Sequence, residues 1–120
     1  MIENTKPIVY IDMDGVLVDF ESGVNKQSAE TLKRFTGEYD NIPHIFSMMN
    51  PIPGALEAVE QLRYAYDLYV LSSSPWHNST APSDKLAWIK HYFGDDPDSV
   101  FYKKGHSLTC ETSQLWRNSH

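Results

Sequence analysis

The stretch Ile8-Val-Tyr-Ile-Asp-Met-Asp-Gly-Val-Leu-Val-Asp-Phe20 runs from a short apolar segment into two carboxylates one residue apart and then a glycine. A run of β-branched and aromatic residues of this length reads as a strand over residues 7–12, and Gly15 supplies the backbone freedom to turn directly after it. Residues two apart on a strand point the same way, so Asp12 and Asp14 are expected to present both carboxylates on one side of the strand's carboxyl end. Open α/β sheets bind ligands there. Two like charges this close repel unless a cation or a shared proton offsets them. The pair therefore calls for Mg²⁺, for an acid/base role of one member, or for both.

Beyond residue 20 the chain alternates helical and strand patterns. One or two short helices are expected in 24–36 and 42–49. Pro51-Ile-Pro-Gly54 breaks the chain, after which Ala55, Leu56, Val59 and Leu62 recur at helical spacing. Leu68-Tyr-Val-Leu71 is a second buried strand, stopped by Ser72-Ser-Ser-Pro75. A helix with Ser83 as N-cap runs to Phe93, with Leu86, Ile89 and Phe93 on one stripe and Gly94 as its stop. Asp98-Ser-Val-Phe-Tyr102 opens a third strand. From Gly105 onward neither period is present, so residues 105–120 read as an unpatterned tail on a domain of residues 1–104. Strands alternating with helices predict an α/β fold with a parallel sheet and right-handed crossovers.

With 120 residues, 41% of them hydrophobic, the chain suits a single domain with one core. A net charge of −6 with scattered basic residues argues against nucleic acid as a partner. Cys110 is the only cysteine, which excludes a disulfide framework and a thiolate zinc set. The first residues lack the basic and apolar regions of a signal peptide, and no apolar run approaches membrane-spanning length, so the expected location is the cytoplasm. The five histidines show no ligand spacing.

Three further residues bear on the aspartate pair. Ser73 or Ser74 closes the second strand, and Lys85 falls in the expected first turn of the next helix, where the helix dipole disfavours a cation. Lys85 also shares a stripe with Trp88 and Tyr92, which aims it at the protein. Each feature alone has an ordinary reading: a solvated Asp-x-Asp turn, a serine loop, a surface lysine. Together they offer what phosphoryl transfer needs, namely a nucleophile, a proton source, a hydroxyl donor and a charge clamp.

In these segments the chain resembles the haloacid dehalogenase (HAD) superfamily of phosphotransferases, and within it the 5′(3′)-deoxyribonucleotidase family. Asp12-Met-Asp-Gly-Val-Leu-Val-Asp-Phe20 is similar to that family's first motif, and Pro51-Ile-Pro-Gly-Ala-Leu56 to the entry of the helix after its cap. Ser73-Ser-Pro75 stands where the family has Thr-Ser-Pro, and Asp84-Lys-Leu-Ala-Trp-Ile-Lys-His-Tyr-Phe-Gly94 is similar to the third motif. The resemblance implies a three-layer Rossmann-like, HAD-like fold with a shortened helical cap at about residues 21–50. It implies Mg²⁺ as cofactor, held by Asp12 and by the Asp14 carbonyl. It further implies hydrolysis of deoxynucleoside 5′(3′)-monophosphates through an aspartyl-phosphate on Asp12, with Asp14 as acid and base. Phosphate binding would fall to Ser73, Ser74, Gly15 and Lys85, with Trp76, Phe35 and Phe46 as the aromatics available to a base, and a homodimer is implied as well.

Two departures from the family accompany these matches. The insert between Phe20 and Pro51 is about half the length of the family's cap, and the fourth motif, a strand ending in an Asp-Asp pair that completes the metal shell, is absent. The tail after Lys104 has the character of a shifted or truncated reading frame. Competing readings are a HAD phosphatase for another small phosphate ester, a catalytically silent remnant of the fold, and a signalling receiver domain. The receiver expects its acceptor aspartate at a later strand end, and none follows Leu68–Leu71.

Overall fold

A computed structural model describes the backbone of residues 5–109 and the side chains of residues 5–105. The expectations for Cys110, for the rest of the tail and for the first four residues fall outside that range. Strand β1 (Ile8–Asp12) turns through Gly15, whose φ of +79° is one that L side chains rarely adopt. The amides of Leu17 and Val18 both donate to the Met13 carbonyl at 3.0 Å, which tightens this turn. Strand β2 (Val18–Asp19) then leads into an insert and strand β3 (Asn50–Pro51) leads out of it. The two pair antiparallel as a neck two residues long.

The insert holds helices α1 (Phe20–Val24) and α2 (Ala29–Arg34). Ser28 caps α2 by accepting the Thr31 amide at 3.1 Å. The helix expected within 42–49 is instead a 3₁₀ turn, Ile45–Ser47, preceded by another at Tyr39–Asn41. A stretch of three residues held by local bonds is too short to propagate an α-helix. Ile45, Phe46 and Met49 are buried against α1, where Gly23 leaves no room for a side chain: a Cβ there would lie 2.8 Å from Met49 Cγ.

Helix α3 (Ala55–Leu62) returns the chain to strand β4 (Asp67–Ser74), which pairs parallel with β1 from Ile8↔Asp67 to Asp12↔Leu71. Helix α4 (Ala81–Phe93) leads to strand β5 (Gly105–Thr109), parallel to β4 on its other side. The sheet order β1-β4-β5 makes β4 central, in an α/β arrangement compatible with a Rossmann-like fold. Ile11, Leu68 and Val70 face the helices and join Ala55, Val59, Trp88 and Ile89 in one core. The opposite face, with Ile8 at 56%, Tyr10 at 55% and Leu71 at 39% exposure, lies open among the described residues, so the expected third layer has no counterpart there. No helix among the described residues is long and apolar enough to cross a membrane.

Three element boundaries differ from expectation. The second strand does not stop at Leu71 but runs through Ser74, because pairing on both sides satisfies its backbone. Helix α4 starts at Ala81 after Thr80, with Pro82 in its first turn, so Ser83 lies inside the helix and Lys85 in its second turn. Residues 98–102 form turns. There Val100 and Phe101 are buried, and Phe101 packs edge-on against Phe93 at 5.0 Å. These apolar residues plug the core from a loop, and the third strand comes at 105–109 instead, within the segment read as tail.

Candidate active site

The site forms where β1 and β4 end. Asp12 is the last residue of β1 and is exposed, whereas Asp14 lies beyond the strand, in the turn, bridged to Val18. Strand alternation therefore does not govern the second carboxylate. Asp14 instead turns to Lys85, whose Nζ donates to Asp14 Oδ2 at 3.1 Å. The other oxygen, Asp14 Oδ1, is buried without a hydrogen-bond partner.

Lys85 is the pivot of this arrangement. The buried face of α4 runs through Ala81, Lys85, Trp88, Ile89 and Phe93, while Leu86, expected on that face, is 54% exposed. Lys85 is 3% exposed, and its ammonium also donates to Ser72 Oγ at 2.9 Å and to the Ser73 carbonyl at 2.5 Å. The Phe46 ring of the insert covers it, with its centroid 4.5 Å from Nζ. A lysine this deeply buried is tolerated only when paired and hydrogen-bonded, and here it is both.

The remaining residues named from the sequence fall around this point. Ser73 is partly buried at the end of β4, and Ser74 is buried at 2% exposure. The Gly15 amide donates to the Val18 carbonyl at 3.0 Å, within the turn. Trp76, just past β4, is 57% exposed, whereas Phe46 is buried over Lys85 and Phe35 packs partly buried against the core. Of these aromatics Trp76 is the most exposed.

Two residues were missed by sequence reasoning. Ser72 reads as part of a loop until β4 is seen to continue through it. Asn78 is buried at 3% exposure and ties the insert to the domain: its Nδ2 donates to the carbonyls of Asp40 at 2.8 Å and Ile42 at 3.0 Å, while its Oδ1 accepts from Thr80. The His44 amide donates to Thr80 Oγ1 at 2.9 Å, its Nδ1 lies 3.0 Å from Asp84 Oδ2, and Trp88 Nε1 donates to the Met49 carbonyl at 2.8 Å.

The oxygens at this strand end suit a hard cation such as Mg²⁺ in kind. In number they fall short, since no group of three His, Cys, Asp or Glu that could hold a metal occurs among the described residues. A near-octahedral shell would need water or oxygens from outside them to accompany Asp12 and Asp14.

No family model matches the chain. It is 47% identical over 89 residues to a protein of Vibrio phage KVP40 named as a 5′(3′)-deoxyribonucleotidase, covering 74% of this chain and 52% of that protein. Over 126 residues it is 27% identical to a protein of Acanthamoeba polyphaga mimivirus bearing the same activity name, covering 82% of this chain and 57% of that protein. The human mitochondrial 5′(3′)-deoxyribonucleotidase is 27% identical over 124 residues, covering 73% of this chain and 51% of that protein. The chain thus spans about half the length of the curated relatives it matches. The aspartate turn and the lysine helix stand together with this likeness to proteins that share one name, and the chain is similar to the 5′(3′)-deoxyribonucleotidases.

Proposed function

We propose that this chain carries the phosphoryl-handling half of an Mg²⁺-dependent phosphomonoesterase acting on deoxynucleoside 5′(3′)-monophosphates. The observation that carries this reading is the buried ammonium of Lys85, held among Asp14, Ser72 and the Ser73 carbonyl, with Asp14 two residues along the chain from the exposed Asp12. A desolvated cation paired with a carboxylate just past a strand end suits the charge that develops on a transferring phosphoryl group. The names of the relatives supply the substrate class.

In this reading the Asp12 carboxylate attacks phosphorus, the bond from phosphorus to the nucleoside oxygen breaks, and that oxygen takes a proton from Asp14. Water then attacks the phosphorus of the aspartyl-phosphate, gives its proton to Asp14 and releases phosphate, restoring Asp12. Ser73 and Lys85 hold the phosphoryl oxygens throughout. Mg²⁺, when bound to the Asp12 carboxylate and the Asp14 carbonyl, offsets the charge of the incoming phosphate. Trp76 supplies a face for the base. The family resemblance adds a homodimer to the proposal.

The test is phosphate release from deoxynucleoside 5′- and 3′-monophosphates with Mg²⁺, compared between the unaltered chain and Asp12→Asn. Release that depends on Asp12 and stops on chelation supports the reading. Release that survives Asp12→Asn, or none from any deoxynucleoside monophosphate, overturns it.

A further inference from the structure

The ammonium of Lys85 has three N–H donors, and three acceptors already use them: Asp14 Oδ2, Ser72 Oγ and the Ser73 carbonyl. The Phe46 ring closes another side at 4.5 Å, and the side chain is 4% exposed. An incoming phosphoryl oxygen therefore cannot simply add to Lys85. It must replace one of the three.

The candidates are not equivalent. The Ser73 carbonyl belongs to the backbone of the central strand, and Ser72 Oγ lies on its buried face, at 6% residue exposure. Asp14 sits in a turn outside the strand, its side chain is 38% exposed, and it is the only charged partner of the three. Its second oxygen is buried with no hydrogen bond, so the present pose leaves that carboxylate half satisfied.

We infer that Asp14 and the substrate phosphate exchange on Lys85: the acid/base carboxylate rests on the lysine, and phosphate binding releases it. The inference rests on the phosphatase reading for the role of Asp14, and the exchange itself is a binding event that can be read without turnover. One anion replaces another, so the buried ammonium keeps an anionic partner through the exchange. The carboxylate is set free only when a phosphoryl group has arrived beside it.

Calorimetric titration of the 120-residue chain with inorganic phosphate tests the exchange. Asp14→Asn should bind phosphate about tenfold more tightly than the unaltered chain, the factor regained when a competent state populated one part in ten becomes the only one. Simple repulsion between Asp14 and phosphate would also tighten binding, so the same substitution is made in a Lys85→Met background. Exchange predicts that the gain vanishes there, and a gain that persists overturns it.

Because Lys85→Met removes a buried partner, a second reading uses the unaltered chain. The Asp14 carboxyl carbon resonance should shift on saturation with phosphate, and an unmoved resonance overturns the exchange. Release of Asp14 by phosphate with no hydrolysis of deoxynucleotides would uphold the exchange while overturning the phosphatase reading.

Discussion

The Nζ of Lys85 lies 2.9 Å from the Oγ of Ser72, a hydroxyl that β4 carries into the side of the sheet otherwise filled by Leu68 and Val70. That hydroxyl is one of two neutral partners, with the Ser73 carbonyl, that make a buried cation possible on an apolar face. Ser72→Ala should cost about 1–3 kcal/mol, because it leaves one N–H of a buried ammonium without an acceptor. Urea denaturation measures the loss. A loss below about 0.5 kcal/mol, the scale of a surface substitution, would mean that the hydroxyl is not needed.

Lys85→Ala should destabilise the fold by at least about 2 kcal/mol as well as weaken phosphate binding. Read as a first-turn lysine opposed to the helix dipole, the residue would be removed at no cost. Its place in the second turn of α4, 3% exposed and paired with Asp14, reverses that sign. Thermal and urea unfolding of the variant decide between the two.

Asp12→Asn should abolish phosphate release while changing stability by no more than about 0.5 kcal/mol, since the side chain is exposed at the end of β1. The amide keeps the shape and loses both nucleophilicity and charge. Calorimetric titration with Mg²⁺ should show the heat of binding reduced in the variant, and equal heats would remove Asp12 from the metal.

Asn78→Ala should loosen the insert. The substitution removes two donors from the carbonyls of Asp40 and Ile42 and the acceptor of Thr80, all at a residue 3% exposed, for a loss of about 2–4 kcal/mol. Hydrogen exchange should quicken at the amides of residues 39–48 before those of β1 and β4. Uniform quickening would mean that the insert and the sheet open as one unit.

Trp76→Ala should leave stability within about 0.5 kcal/mol, because the ring is 57% exposed. It should raise KM for deoxynucleoside monophosphates by the equivalent of about 1–3 kcal/mol, the scale of a lost base–aromatic stack, with kcat little changed. An unchanged KM would take Trp76 out of the substrate pocket.

Much of the site could be read from residue order alone. The apolar run into Asp12, the turn at Gly15 and the inward aim of Lys85 all follow from local chemistry, and the structure has each of them. What could not be read depends on neighbours distant in sequence. Three serines before a proline look like a loop, and only the pairing of β4 with β1 and β5 turns Ser72 and Ser74 into buried strand residues. Val100 and Phe101 have the chemistry of a strand but are used to cap Phe93 from a turn, while Gly-His-Ser-Leu-Thr109 forms the strand with little intrinsic preference for one. Lys85 and Leu86 are adjacent and periodicity fits either to an inner stripe; the pairing of Lys85 with Asp14 and Ser72 leaves Leu86 54% exposed.

Beside the packing of Ile45, Phe46 and Met49, three of the side-chain hydrogen bonds between the domain and its insert end on main-chain carbonyls of the insert. Asn78 grips those of Asp40 and Ile42, and Trp88 grips that of Met49. A carbonyl is the same group whatever side chain follows it, so this part of the docking is written in backbone shape, and residue identity counts at the buried positions Ile42, Ile45, Phe46 and Met49. Exposed positions on α2 such as Glu30, Lys33 and Arg34 can therefore drift in sequence without unseating the insert. Diversity in what the insert presents to solvent is decoupled from where it sits, which makes it a surface that selection can rewrite one residue at a time.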